Sequence, residues 1–427
     1  MRLRLSNLII VTVNKHNKRN IFIGMKILML GWELPPHNSG GLGVACFQLC
    51  KSLASNKMDI DFIVPYEADH SIDFMNVIPA IPQGVDSILK SGIAYDSYKY
   101  IYSNGKVKDF NIIDQYHAYS FAASKIAETR EFDVVHAHDW LTFRAALLIK
   151  QKTDCPIILH VHSVESDRSG SEDGNPMVKE IEETAMLMAD VIIAVSNHTK
   201  NKIISDYNIP ENKIKVVHNS IDVIAQDNNS LVNSYEFLKY MKSRGYKVVA
   251  NIGRLTVQKG LPNFLKAARR VIDVNPKTYF LIVGSGEQYH ELVDLAAELN
   301  ISDKVIFTEF QRGQQWRDAF KIADLFVMPS VSEPFGLTPL EAIAFGTPSL
   351  VSKQSGVSEV FKNCLKVDFW DIDEMSNLIA SSISSDALLE ELSNRAYDEY
   401  RVMSWQDSTD KLMNLYRHHK TLAEAAR

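Results

Sequence analysis

Ser332-Glu-Pro-Phe-Gly-Leu-Thr-Pro-Leu-Glu-Ala-Ile-Ala-Phe-Gly-Thr-Pro348 follows Leu325 to Met328, an apolar run of strand length. Pro334 and Gly336 keep the first part of the stretch from being helical. Thr338-Pro339 reads as cap plus first helical position, with Leu340, Ile343 and Ala344 at helical spacing. The order is buried strand, loop, helix, the repeating half of a parallel α/β sheet. The loop ends where backbone N–H groups stay unpaired, at about Phe335, Gly336, Leu337 and Thr338, and such donors at a helix N-terminus favour a diphosphate. The same stretch sets Glu333 on the loop and Glu341 in the helix. A carboxylate takes strong hydrogen bonds from vicinal hydroxyls, so Glu333 suits a hexose and Glu341 a ribose. Each has a plainer reading: Glu333 as a solvent-facing side chain, and Glu341 as a charge that stabilises its helix.

Outward from this stretch, apolar runs of strand length alternate with amphipathic stretches of helix length. They are Ile27 to Leu30, Ile60 to Val64, Val134 to Ala137, Ile157 to Val161, Val191 to Val195 and Ile214 to Val217. A second series follows a polar gap: Val248 to Ile252, Tyr279 to Val283, Lys304 to Phe307, Leu325 to Met328 and Ser349 to Val351. This alternation predicts two parallel sheets covered by helices. The gap, Gln226 to Ser234, is rich in Asn, Asp and Ser and marks a hinge between about Ser220 and Tyr246. Tyr66 to Tyr119 is less regular and tyrosine-rich, either a packed insertion or a sugar-stacking surface.

A chain of 427 residues exceeds what one core usually fills, so two domains and a cleft between them are expected. The net charge of −6, with no run of Lys or Arg, argues against nucleic acid and membrane surfaces as partners. The four cysteines, Cys46, Cys50, Cys155 and Cys364, have no disulfide-like or C-x-x-C spacing, which fits a reducing cytoplasm. No apolar segment approaches the length of a spanning helix. Residues 1–24 lack the apolar region and cleavage site of a signal peptide. They read as an extension outside the native protein, whose first residue is then Met25, at the head of a buried strand. A chain starting there is expected to fold and work like the full one.

Three constellations carry chemistry. Gly40, Gly41 and Gly43 follow the first strand and open a helix, so backbone can approach a ligand at a helix N-terminus; a glycine turn without ligand has the same pattern. Asn251-Ile-Gly-Arg-Leu-Thr-Val-Gln-Lys-Gly260 repeats this arrangement, with Gly253 at the turn and two cations, Arg254 and Lys259, at the carboxyl end of a parallel strand. A planar fork and a mobile point charge together neutralise a departing diphosphate; surface solvation is the plainer role. His136-Ala-His138-Asp139-Trp140 and His160-Val-His162 end two buried strands. These pairs invite a metal reading, but alternate strand residues share a face and no acidic ligands stand at metal-site spacing. Structural histidines and substrate contacts are the other two readings, and no metal is expected.

With these pieces in order, the chain resembles glycosyltransferase family 4, the retaining GT-B enzymes, from Met25 to about Tyr416. Gly-Gly-Leu-Gly, V-V-H-A-H-D-W, A-D-V-I-I-A-V-S-N-H-T, H-N-S-I-D, G-R-L-x-x-x-K-G and E-P-F-G-L-x-x-x-E occur in the family's order. H-A-H-D-W and G-G-L-G look closest to the glycogen and starch synthase-like subgroup. That subgroup's bacterial ADP-glucose enzymes usually carry Lys-Thr before Gly-Gly, where this chain has Asn38-Ser39.

The resemblance implies a GT-B fold, two doubly wound, Rossmann-like domains facing a central cleft: 25–225 on the acceptor side and 246–403 binding the nucleotide sugar. Residues 404–427 form a helix that can return to the first domain. It implies that Arg254 and Lys259 bind the donor diphosphate, that Glu333 contacts the donor sugar and Glu341 the ribose, and that Gly41 approaches the phosphate from the other domain. His162 and Asp139 would face sugar and acceptor. The implied activity is retaining hexosyl transfer, with glucose the expected sugar, from a UDP-, ADP- or GDP-sugar to a carbohydrate such as an α-glucan, without a metal cofactor. A cell-envelope mannosyl- or other hexosyltransferase is the alternative. A glycoside hydrolase would also use two carboxylates, but leaves Arg254, Lys259 and both glycine turns without a role. A non-catalytic carbohydrate-binding relative of the fold is the remaining alternative.

Overall fold

The protein is described by a computed structural model over residues 24–38, 40–82, 85–90, 98–170, 174–221 and 234–426. The N-terminal extension before Gly24, Ser39 and nearly all of the polar gap from Gln226 lie outside these residues.

The first half contains β1 (Lys26–Leu30), β2 (Asp59–Val64), β3 (Asn76–Pro79), β4 (Val85–Lys90), β5 (Tyr98–Tyr102), β6 (Val107–Phe110), β7 (Val134–His138), β8 (Ile157–Val161), β9 (Val191–Ala194) and β10 (Ile214–Val216). Seven of these pair into a parallel sheet of order β10-β9-β8-β7-β1-β2-β3. β7 and β8 are buried along their whole length, as strands covered by helices on both faces must be. The second half adds β11 (Lys247–Ile252), β12 (Thr278–Val283), β13 (Val305–Thr308), β14 (Leu325–Met328), β15 (Ser349–Ser352) and β16 (Leu365–Val367) in a second parallel sheet, ordered β13-β12-β11-β14-β15-β16. The chain is thus two parallel-sheet α/β domains.

Three segments differ from the sequence reading. The irregular region after Tyr66 supplies β3 and a small antiparallel sheet, β4-β5-β6, followed by a helix over Ile112–Ala127. Two of its tyrosines are packed: Tyr100 lies 4.2 Å from the Phe110 ring, and Tyr119 is buried beside Trp32 with its hydroxyl donating to Ile63 O at 3.2 Å. A helix over Glu236–Ser243 occupies the end of the expected hinge region, and its Leu238 joins the second domain's core. The third is β16, too short and too exposed at its start to register as an apolar run.

The last helix, Gln406–Ala425, crosses back to the first domain. Trp405, Leu412, Met413 and Tyr416 share one core with Ile27, Met29, Leu49, Cys50 and Ile193. Polar contacts fix its register: Thr409 Oγ1 to Ser52 Oγ at 2.7 Å, and Tyr416 OH to His136 Nδ1 at 2.6 Å. Leu412 is fully buried, so Leu412→Ala should cost about 2–5 kcal/mol in urea unfolding. An unchanged midpoint would mean that the helix rests on the surface instead of completing the core.

Candidate active site

Each sheet has one place where chain order reverses: between β1 and β7 in the first, and between β11 and β14 in the second. Helices leave in opposite directions there, so a crevice opens beyond the carboxyl ends of the strands. The sequence-expected residues cluster at these two crevices. Gly40 and Gly41 follow β1, Asp139 follows β7, and His162 follows β8 beside it. Gly253, Arg254 and Lys259 follow β11, while Glu333, Phe335, Gly336, Leu337, Thr338 and Glu341 follow β14.

In the second domain the two loops are locked together. Val331 N donates to Gln258 O at 2.9 Å, and Gly260 has φ +66° with Pro329 O where a Cβ would stand, 2.1 Å away. Only glycine fits there. The turn holds Lys259 Nζ 2.5 Å from Glu333 Oε2, which also accepts from Ser330 Oγ at 3.0 Å. Glu333 is 8% exposed and pinned through its backbone to Gln354 and Gly356, which sets aside the reading of it as a solvent-facing side chain. Arg254 is exposed and has no ion-pair partner among the described residues.

After Glu333, Gly336 adopts φ +93°, where a side chain would press on Glu333 and Met328. The helix that follows runs over Thr338–Ala344, with Leu337 as its cap. Thr338 is therefore the first helical residue and Pro339 the second, one position earlier than the cap-and-first reading. Leu337 has helical dihedrals and its carbonyl already accepts from Glu341 N at 3.1 Å, so the hydroxyl of Thr338 has no capping role. The amides of Phe335, Gly336, Leu337 and Thr338 donate to no acceptor among the described residues. The helix is short, so these N–H groups, more than a long dipole, carry its preference for anions. Glu341 is half-buried in its first turn, and loss of water pushes its carboxyl up to about 7.

In the first domain, Asp139 takes φ +57° and ψ 169°, a conformation normally left to glycine. Its carboxylate does not cap its own helix. It accepts from His162 N at 2.6 Å and Ser163 N at 3.2 Å, tying the end of β7 to the end of β8. Burial raises this carboxyl to about 7, against the pull of Arg168. His162 Nε2 lies 3.0 Å from His138 Nδ1, and His136 Nε2 lies 3.1 Å from His160 Nδ1. Burial lowers all four imidazoles, His136 and His162 to about 3, so the cluster is neutral.

The two crevices face one another. A Cβ on Gly41 would stand 3.9 Å from Leu337 Cδ1, and Leu337 packs against the cores of both domains. Arg312 reaches from the second domain to Pro36 O and Asn38 O of the loop before the glycines, at 3.3 and 3.2 Å. Beside the Glu333 loop lies a clamp the sequence reading missed. Ser196 Oγ donates to Pro334 O at 2.5 Å, and Glu359 accepts from the amides of Asn197 and His198 at 2.9 and 2.7 Å and pairs with His218 Nε2 at 2.9 Å. The quoted runs S-N-H-T and H-N-S-I-D thus converge on one glutamate. They were the available signal, but nothing in either run names Glu359, which lies more than 140 residues away.

This is the cleft of a two-domain transferase. The family description Glycosyltransferase Family 4 matches residues 39–224 and Glycosyl transferases group 1 matches residues 233–399. The chain belongs to the glycosyltransferases of family 4 and has the GT-B fold. It is 29% identical over 416 residues to an uncharacterised glycosyltransferase of Methanocaldococcus jannaschii, covering 92% of this chain and 98% of that protein. It is 28% identical over 349 residues to a glycogen synthase of Mycobacterium tuberculosis, covering 79% of this chain and 80% of that one. Among solved structures it resembles a sucrose-phosphate synthase from Thermosynechococcus elongatus, with a TM-score of 0.72 at 17% identity over 92% of this chain and 98% of that one.

Glu359 allows a test of the clamp. Burial opposes its charge, but bonds from His218, Asn197 and His198 outweigh that and hold its carboxyl down at about 2. Its folded-state pKa is depressed, so its stabilisation is complete above the unfolded carboxylate range and is lost as pH falls through about 2. Glu359→Gln should cost on the order of 1–2 kcal/mol at neutral pH, with the difference from the parent shrinking below about pH 4.5. Parallel unfolding curves of parent and variant across pH measure this; a pH-independent difference would assign the loss to packing.

Proposed function

We propose that this glycosyltransferase moves a hexose, glucose by preference, from a nucleotide diphosphate sugar to a carbohydrate acceptor of the α-glucan type, with retention of anomeric configuration, in the cytoplasm. The observation that carries the reading is the Lys259–Glu333 pair at the second sheet's crevice, on a loop whose Leu337 lies against Gly41 of the other domain, with Arg254, exposed and without an ion-pair partner among the described residues, following the same strand as Lys259. The similarity to a glycogen synthase supports the glucan acceptor.

In this reading Arg254 and Lys259 take the diphosphate, helped by the free amides from Phe335 to Thr338 and by the glycine turn at Gly40 and Gly41. Glu333 accepts from the hexose hydroxyls and Glu341 from the ribose. His162 and Asp139 bound the sugar on the acceptor side. Breaking the glycosyl–phosphate bond calls chiefly for stabilisation of charge on the departing diphosphate, which fixed cations and amides supply without reorganisation. The acceptor hydroxyl enters on the face the diphosphate leaves and gives its proton to that phosphate. Configuration is kept without a protein nucleophile. The neutral cluster around His162 adds no positive charge beside the oxocarbenium-like sugar. Domain closure excludes water, which would otherwise divert the sugar to hydrolysis.

Glu333→Gln and Arg254→Ala should each lower transfer about 100-fold or more, roughly 2.7 kcal/mol of barrier, with the fold intact. Near-parental rates in either variant would remove that residue from the scheme. Chelation with EDTA should cause no loss of rate. Release of nucleoside diphosphate from a panel of UDP-, ADP- and GDP-sugars with glycogen as acceptor tests the substrate reading.

Glu341 adds a pH signature. A protonated carboxyl cannot accept from both ribose hydroxyls, so nucleotide affinity should fall as pH drops below about 7, by up to about tenfold per unit. Calorimetric titrations of nucleoside diphosphate into parent and Glu341→Gln separate this from phosphate protonation, which both proteins share. Identical pH dependence in the two would place the ribose elsewhere.

A further inference from the structure

Cys46, on the helix that opens at Gly41, joins His138 and His162 in a buried group whose potential ligand atoms all lie within 4.8 Å of one another. Cys46 is 1% exposed, His138 is fully buried and His162 is 9% exposed. His138 Nδ1 and His162 Nε2 stand 3.0 Å apart, close to the roughly 3.3 Å between two nitrogens bound to one tetrahedral zinc. The other nitrogen of His138, Nε2, is buried with no hydrogen-bond partner among the described residues, so no acceptor there dictates the tautomer of the ring. His136, His138 and His160 form a second group of similar spacing, but His136 already uses both nitrogens, on Tyr416 and on His160.

We propose that Cys46, His138 and His162 form a binding site for a thiophilic divalent ion, zinc by preference, and that its occupation inhibits transfer. One thiolate and two imidazoles are a ligand set that zinc favours, with a fourth position left for water. The imidazoles are already neutral and need lose no proton. Burial holds the Cys46 thiol protonated in the absence of an ion. Binding forms the zinc–sulfur bond and releases the Cys46 thiol proton to solvent. Asp139 and Glu33 offset the cation's charge. Inhibition rests on the reading of His162 as a sugar contact, because ligation commits its Nε2 to the ion and fixes the ring away from the donor sugar. Binding itself does not rest on it.

The test uses zinc and cobalt ions alone, added to the EDTA-stripped full chain. Cobalt should bind one equivalent and give a tetrahedral d–d spectrum with a sulfur-to-metal charge-transfer band. Cys46→Ala should weaken binding at least about 100-fold and abolish that band, whereas Cys50→Ala, on the same helix, should leave both unchanged. Cys46→Ser serves if the alanine variant does not fold. No stoichiometric binding by the parent, or a band that survives loss of Cys46, overturns the site. Zinc should also inhibit the parent competitively with the nucleotide sugar, and Cys46→Ala should keep parental basal activity and resist zinc. Binding without inhibition would retain the ion site and overturn both the inhibition and the placement of His162 against the donor.

Discussion

A parallel strand cannot return to its neighbour by a hairpin; it must cross over through a helix, and every crossover brings the chain back to the same edge of the sheet. That constraint puts the carboxyl ends of all strands in one row and forces a gap wherever strand order reverses. Here it acts twice. The gap between β1 and β7 collects Gly41, Asp139 and His162, and the gap between β11 and β14 collects Arg254, Lys259 and Glu333. In the proposed reading neither half holds a complete site, so transfer would depend on how two rows of strand ends are held face to face.

Much of this was legible because the relevant signals are local. A buried strand reads as an apolar run, and Gly260 or Gly336 reads as a forced turn before any coordinate is known. The strands that escaped notice are those with weak local signals: β3, whose residues are half-exposed or exposed, the short β16, and the antiparallel trio that hides in a tyrosine-rich stretch. The cap at Leu337 was misplaced by one residue because Leu337 itself takes helical dihedrals, which its apolar side chain does not advertise. At the site, residues following a strand and a glycine were found, since spacing alone puts them at the crevice. Glu359, Ser330 and Cys46 were not, because each acquires its meaning from groups that only folding brings near.

The domain contact beside the Glu333 loop is polar. Pro334, directly after Glu333, accepts from Ser196 in the other domain, and Ser332, directly before it, donates to Asp167 at 2.5 Å and meets His198 Nε2 at 3.0 Å. The loop that carries the carboxylate is thus gripped on both sides by the partner domain. A rotation of one domain on the other is transmitted to Glu333 through two residues of backbone, a short and stiff path. Polar grips of this kind exchange partners at lower cost than an apolar seam, which suits the proposed opening of the cleft to a glucan acceptor.

The returning helix has a consequence for how the protein is made. The first domain's core contains Trp405, Leu412 and Tyr416, so that domain is built from both ends of the chain with the second domain inserted between them. During synthesis β1 to β10 leave the ribosome early, but the apolar surface beside Cys50 and Met29 stays uncovered until the last helix is released. The second domain, continuous in sequence, can be complete before then. The folding order is therefore reversed relative to the order of translation: the half that emerges first finishes last, and the exposed face it carries in the meantime is where misassembly or chaperone binding is to be sought.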